Sequence, residues 1–151
     1  MFLQTDMTRK AFDIVFIAFE GKVDKAGKPY INHLMRVANG VLGNSLIREN
    51  LTVIALLHDL LEDTDWTEEN LRKEFPDNIV DAVVVLTKVD GISYEDYIDG
   101  VMANELATYV KLSDLKDNMD VTRLQVLGDY EIKRLKKYHT TYIKLSDKIK
   151  E

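Results

Sequence analysis

Apolar residues recur along most of the chain at intervals of three and four, the helical period. From Thr5 to about Glu20, Phe12, Val15, Phe16 and Phe19 fall on one side and predict a first helix. A break rich in lysine and glycine follows over Gly21–Pro29, and a second helix is predicted from about Tyr30 to Leu42. Leu51–Glu62 predicts a third. Thr67 reads as an N-cap with Glu68, Glu69 and Asn70 in the first turn, and Pro76 ends or interrupts that segment. Asp77–Lys88 continues helically, although Val83, Val84 and Val85 alone would suit a strand. Ser93 caps a short helix through Asp96, a longer one covers about Asn104–Met119, and Asp129 is placed to cap a final charged helix. With no hairpin pair, repeat or low-complexity tract, the expectation is all-α: about seven helices in one domain over residues 1–151.

Composition narrows the chemistry. The chain has 151 residues, 46% hydrophobic and 30% charged, which is globular and not disordered. A net charge of −6 argues against a nucleic-acid partner, since neutralising a phosphate polymer needs a basic face. Apolar runs such as Val53–Leu57 and Ala82–Leu86 are far short of the roughly 20 residues of a membrane-spanning helix. The apolar residues of Phe12–Phe19 are interrupted by Asp13 with no small-residue cleavage site after them, so they read as a helix and not a signal peptide. A cytoplasmic location is the expectation. The absence of cysteine removes disulfides, thiolate metal sites and cysteine nucleophiles together. A metal site would have to draw on His, Asp and Glu, and there are three histidines.

The third predicted helix is apolar around nearly its whole circumference, so it is expected to be buried on most sides. Into it the sequence places His58 and Asp59, with Glu62 and Asp63 one turn later. An unpaired carboxylate there would cost several kcal/mol. A metal cation solves this, and so does a plain His–Asp hydrogen bond; the helix alone leaves the two readings even. Acidic residues at a helix C-terminus oppose its dipole, which points Glu62 and Asp63 away from a purely stabilising role. Elsewhere, Tyr30-Ile31-Asn32-His33 opens a helix, and Lys111, Asp114 and Asn118 share a face while Val110, Leu115 and Met119 point to the core. A His, a His-Asp doublet and a late Asp on three helices can close a four-ligand cage.

The ordered set His33…His58-Asp59…Asp114 resembles the metal-binding signature of the HD superfamily of phosphohydrolases. Lys25-Ala-Gly-Lys28-Pro29-Tyr30-Ile31-Asn32-His33, His58-Asp59-Leu-Leu-Glu62-Asp63-Thr64 and Lys111-Leu-Ser-Asp114-x-x-x-Asn118-Met119 look like the hydrolase domain of the RelA/SpoT family, and the compact length resembles its small stand-alone alarmone hydrolases. The resemblance runs in register over about Lys25–Met119 and implies an HD-type helical bundle. It implies that His33, His58, Asp59 and Asp114 hold one divalent metal, manganese by family. It also implies that Glu62 and Asp63 orient or deprotonate the attacking water. The implied reaction is hydrolysis of (p)ppGpp to GDP or GTP and pyrophosphate.

Lys25, Lys111, Asn118 and Arg134 are expected to bind the substrate: Lys25 and Asn118 match positions the family uses near it, Lys111 lies on the Asp114 face, and Arg134 resembles a basic residue of the last helix. Lys22 and Lys28 read as an ordinary solvated loop, His139 as surface or packing, and Trp66 as a pin for its loop. Tyr94 and Tyr97 are candidates for a nucleotide pocket, with core packing expected for at least one. The family's arginine-leucine-histidine before the asparagine is replaced by Leu115-Lys116-Asp117, and its following arginine is absent unless Arg123 supplies the charge. These departures bear on substrate choice and leave a related nucleotide such as NADPH as the alternative substrate. The alternative of another class is a non-catalytic nucleotide-binding module on the same scaffold. A synthetase is not expected, because 151 residues leave no room for a second catalytic domain.

Overall fold

Four helices begin where a short polar side chain accepts a hydrogen bond from a backbone amide three residues on. In the computed structural model, which describes residues 4–41 and 45–150, Thr5 Oγ1 accepts from Thr8 and Thr67 Oγ1 from Asn70. Ser93 Oγ accepts from Asp96 and Asn104 Oδ1 from Ala107. The helices are α1 (Asp6–Ala18), α2 (Ile31–Gly40), α3 (Arg48–Leu57), α4 (Leu60–Asp63), α5 (Glu68–Arg72), α6 (Asp77–Leu86), α7 (Tyr94–Met102), α8 (Glu105–Asn118) and α9 (Asp129–Lys150), with a 3-10 turn at Val121–Arg123. Among the described residues there is no strand, and Val83–Val85 are helical. The all-α expectation holds. The described residues form nine α-helices against about seven expected, and the predicted Leu51–Glu62 helix is split into α3 and α4. The predicted end of the second helix, Leu42, lies outside the described residues.

Helix α3 is the centre of the fold. Leu51 to Leu57 are all buried, enclosed by α1, α2, α6 and α8. From α1 the buried stripe is Thr8, Ala11, Val15, with Phe19 just beyond the helix. Phe16, expected on that stripe, is 59% exposed and stacks on Phe12 at 5.8 Å. It lies one residue, about 100° of rotation, past Val15. No described helix is long and apolar enough to cross a membrane.

The third helix does not run through to Glu62. It ends at Leu57, and a new turn, α4, starts at Leu60. The Ala55 carbonyl, which in a continuous helix is the partner of the Asp59 amide, accepts from the His58 ring instead, Nδ1 to O at 2.6 Å. The interruption therefore falls at the His-Asp doublet. It also leaves Glu62 and Asp63 on a single helical turn, where the opposing dipole is small and the electrostatic argument for them loses most of its force.

Two close contacts set the spacing around this break. Helices α2 and α8 approach tightly: Ser113 Oγ donates to the Val37 carbonyl at 2.8 Å, and a Cβ on Gly40 would stand 2.7 Å from that oxygen. The Gly21–Pro29 segment folds back on itself through a Val23–Pro29 bridge, with Gly27 at φ +76° and Asp24 Oδ1 accepting from the amides of Ala26 and Lys28.

Candidate active site

Helix α2 carries His33, the α3–α4 break carries His58 and Asp59, and α8 carries Asp114. All four side chains converge. His33 Nε2 lies 3.2 Å from Asp114 Oδ1 and 3.6 Å from Asp59 Oδ2, while His58 Nε2 lies 3.4 Å and 3.1 Å from the same two oxygens. His33, His58 and Asp114 are buried, each offering one atom within 4.8 Å of the others. Asp59, 18% exposed at its side chain, closes the open side.

Both imidazoles are held from behind. His58 Nδ1 is turned to the Ala55 carbonyl and His33 Nδ1 to Asp117 Oδ2 at 2.7 Å. That arrangement leaves both Nε2 atoms directed at the carboxylates. His58 Nε2 is buried with no hydrogen-bond partner, although an acidic oxygen lies close by. A buried nitrogen aimed at two carboxylate oxygens without bonding either fits a cation between them. Burial opposes protonation of both histidines, but Asp59 and Asp114 outweigh it at His58, and Asp114 and Asp117 do so at His33; both pKa values rise. Negative charge is in excess here. Two imidazoles and two carboxylates without a thiolate suit a borderline-to-hard divalent ion.

Lys111 is nearly buried with its Nζ 2.8 Å from Asp114 Oδ2, and Asn118 Nδ2 donates to Asp114 Oδ1 at 2.9 Å. The predicted shared face of Lys111, Asp114 and Asn118 is therefore real, and both partners donate to the Asp114 carboxylate. Burial works against the charge on Lys111, yet Asp114 beside it raises its pKa. Lys111→Met is expected to destabilise the metal-free protein by about 3–5 kcal/mol, because Asp114 is left buried with its Oδ2 unpaired. A divalent ion should restore part of the loss; thermal unfolding with and without the ion checks both.

The cluster forms the floor of a cleft of about 530 Å³. Glu62, Asp63, Lys25 and Arg134 line it as well. Glu62 Oε1 accepts from the Lys88 amide at 2.9 Å, and the Asp63 carbonyl accepts from Lys22 Nζ. Asp63's carboxyl is pushed up to about 6, first by burial and then by the charges of Asp59 and Glu62. Lys25 projects from the folded-back segment and lies 5.4 Å from the Tyr130 ring. Arg134 lies over Tyr138 at 5.2 Å, and its Nε is buried without a partner. All ten predicted site residues except His58, which lies beneath, line this cleft.

Other expectations sort themselves by position. Neither Tyr94 nor Tyr97 lines the cleft: Tyr97 is buried with its hydroxyl on the Leu86 carbonyl, and Tyr94 accepts from Thr141. The aromatic walls are Tyr30 and Tyr138. Trp66 packs against the core away from the cleft, and His139 is exposed. Arg123 does reach the cleft wall, but it is engaged by Asp117 and Asp120. Tyr30 was not singled out in the sequence. Its hydroxyl donates to Asp59 Oδ2 at 2.6 Å, its ring stacks on Phe19, and burial followed by the charge of Asp59 raises its pKa.

A family model described as an HD domain matches residues 11–117, a span that includes His33, the His58-Asp59 doublet and Asp114. The chain belongs to the HD domain family. Among its relatives, a guanosine-3′,5′-bis(diphosphate) 3′-pyrophosphohydrolase of Aquifex aeolicus is 34% identical over 119 residues, covering 75% of this chain and 17% of that protein. A GTP pyrophosphokinase of Myxococcus xanthus is 36% identical over 88 residues, covering 58% and 12%. The chain thus spans less than a fifth of the length of either relative. A solved structure described as a metazoan ortholog of SpoT that hydrolyzes ppGpp superposes with a TM-score of 0.75 at 20% identity, over 98% of this chain and 88% of that one. The HD-type helical fold is shared.

Proposed function

We propose that this chain is a divalent-metal phosphohydrolase that cleaves the 3′-pyrophosphate of guanosine alarmones, (p)ppGpp and water giving GDP or GTP and pyrophosphate, with manganese as the working ion. The observation that carries this reading is the convergence of His33, His58, Asp59 and Asp114 at the floor of a cleft walled by Glu62 and Asp63. The names of the relatives support the substrate class. They include a synthetic activity as well as a hydrolytic one, and the acidic pair favours hydrolysis because carboxylates over the floor serve to accept a proton from water.

In this reading His33, His58, Asp59 and Asp114 hold the ion. A bound divalent ion there supplies positive charge to polarise a phosphoryl oxygen and acidify water. The chain's own residues do the rest. Glu62 and Asp63 orient the attacking water and take its proton. Asn118 and Lys111 fix the aim of Asp114. Lys25 and Arg134 meet the phosphates, which reconciles a net charge of −6 with a polyanionic substrate through local charge. The bond that breaks joins the ribose 3′-oxygen to phosphorus; water's oxygen goes to the pyrophosphate and a proton to the 3′-oxygen. We place the activity in the cytoplasm, without a polymer partner.

A screen of phosphorylated nucleotides against manganese-loaded protein tests the reading. Turnover of (p)ppGpp above NADPH and ordinary nucleotides supports it. Turnover of NADPH with (p)ppGpp untouched overturns the substrate.

A further inference from the structure

His33 is bracketed by two carboxylates three residues apart on α8. Asp114 Oδ1 faces Nε2 at 3.2 Å, and Asp117 Oδ2 faces Nδ1 at 2.7 Å. Asp117 belongs to the segment that departs from the family's sequence pattern, and none of the functional roles assigned above uses it. Its carboxylate is 9% exposed and held from two further directions. Arg36 donates Nε to Oδ1 at 2.7 Å and Nη2 to Oδ2 at 3.2 Å. Arg123 donates Nη2 to the Asp117 carbonyl at 3.0 Å, with longer contacts of 3.4 and 3.5 Å to the carboxylate.

The two histidines are therefore backed differently. Behind His58 stands a neutral carbonyl; behind His33 stands an anion clamped by two guanidiniums. A carboxylate on Nδ1 holds the proton there, leaves the Nε2 lone pair free, and makes the imidazole a more basic ligand.

We propose that Asp117 is a positioning residue: through His33 Nδ1 it sets the tautomer and orientation that present Nε2 to the divalent ion, while Arg36 and Arg123 keep its carboxylate in place. This rests on the metal reading of the site. The charge relation is specific. Arg36 and Arg123 line the cleft, yet their charge is directed first to Asp117. They act on the ion through the second ring nitrogen of one ligand, at one remove.

The test is manganese binding by titration calorimetry on the full chain. Asp117→Ala is expected to weaken binding by roughly 10–100-fold, and Asp117→Asn, which keeps an acceptor of the same size, by less. In 15N-histidine spectra of zinc-loaded protein, the wild type should carry a slowly exchanging proton on His33 Nδ1 that Asp117→Ala loses. Asp117→Ala binding manganese within twofold of wild type, with that proton retained, overturns the proposal. So does an Arg36→Gln/Arg123→Gln double variant that weakens binding by more than Asp117→Ala, because the arginines would then act on the ion by a route other than Asp117. Wild type that binds no manganese overturns the metal reading itself and this proposal with it, an outcome distinct from the other two.

Discussion

Asp59→Ala is expected to abolish both manganese retention and turnover. Asp59 Oδ2 lies 3.1 Å from His58 Nε2 and 3.6 Å from His33 Nε2, and in the proposed reading it is the ligand on the open side of the cluster. Its removal leaves two imidazoles and Asp114, whose other oxygen is bound to Lys111. The metal's electrostatic contribution to a phosphoryl transition state is several kcal/mol, so the rate should fall by about 10³-fold or more. Folding should survive. Asp59 and Asp114 repel one another in the metal-free protein, and deleting one relieves that repulsion while Tyr30 loses its acceptor. Metal analysis after dialysis, with an unfolding curve on the same sample, separates loss of the ion from loss of the fold.

Glu62→Gln is the second large effect, and it has the opposite signature. Glu62 makes no hydrogen bond or ion pair with the four cluster residues; its carboxylate lines the cleft with one oxygen on the Lys88 amide. The amide replacement keeps the volume and that acceptor but removes the capacity to take a proton. Manganese content should match wild type while kcat falls by about 10²–10⁴-fold, the range for a positioned general base. A fully active Glu62→Gln would remove that residue from the mechanism and leave the role to Asp63, whose raised pKa of about 6 suits a group that exchanges protons near neutrality.

The parts of the site legible in the sequence were those set by local order along the chain. Thr67 and Ser93 cap helices because the cap is a contact within four residues. Lys111, Asp114 and Asn118 meet because helical spacing puts them together. His33, His58, Asp59 and Asp114 were identified by their order and resemblance, and close packing of α2 on α8 through Ser113 and Gly40 brings them within reach.

What escaped depends on partners far apart in sequence. Tyr30 meets Asp59 across 29 residues, and Arg36 meets Asp117 across 81. A signal for Asp117 did exist: it sits three residues after Asp114 on the same helix, but only the position of His33 gives that spacing a meaning. The helix break at His58 is likewise hidden, because an apolar run of the right period continues through Leu60 and Leu61. Its cause is a side-chain hydrogen bond to Ala55 that competes with the backbone. Tyr94 and Tyr97 were candidates on residue type alone, and α7 turns them toward α6 and α9.

The central claim is that this metal cluster and its acidic pair hydrolyse a guanosine 3′-pyrophosphate. The most direct measurement is the product spectrum when manganese-loaded protein is given ppGpp, followed by phosphorus NMR beside the Asp59→Ala variant. The account predicts stoichiometric GDP and pyrophosphate from the wild type and intact ppGpp from the variant. Tight nucleotide binding by the wild type without turnover in any divalent metal would contradict it and make the chain a nucleotide-binding module.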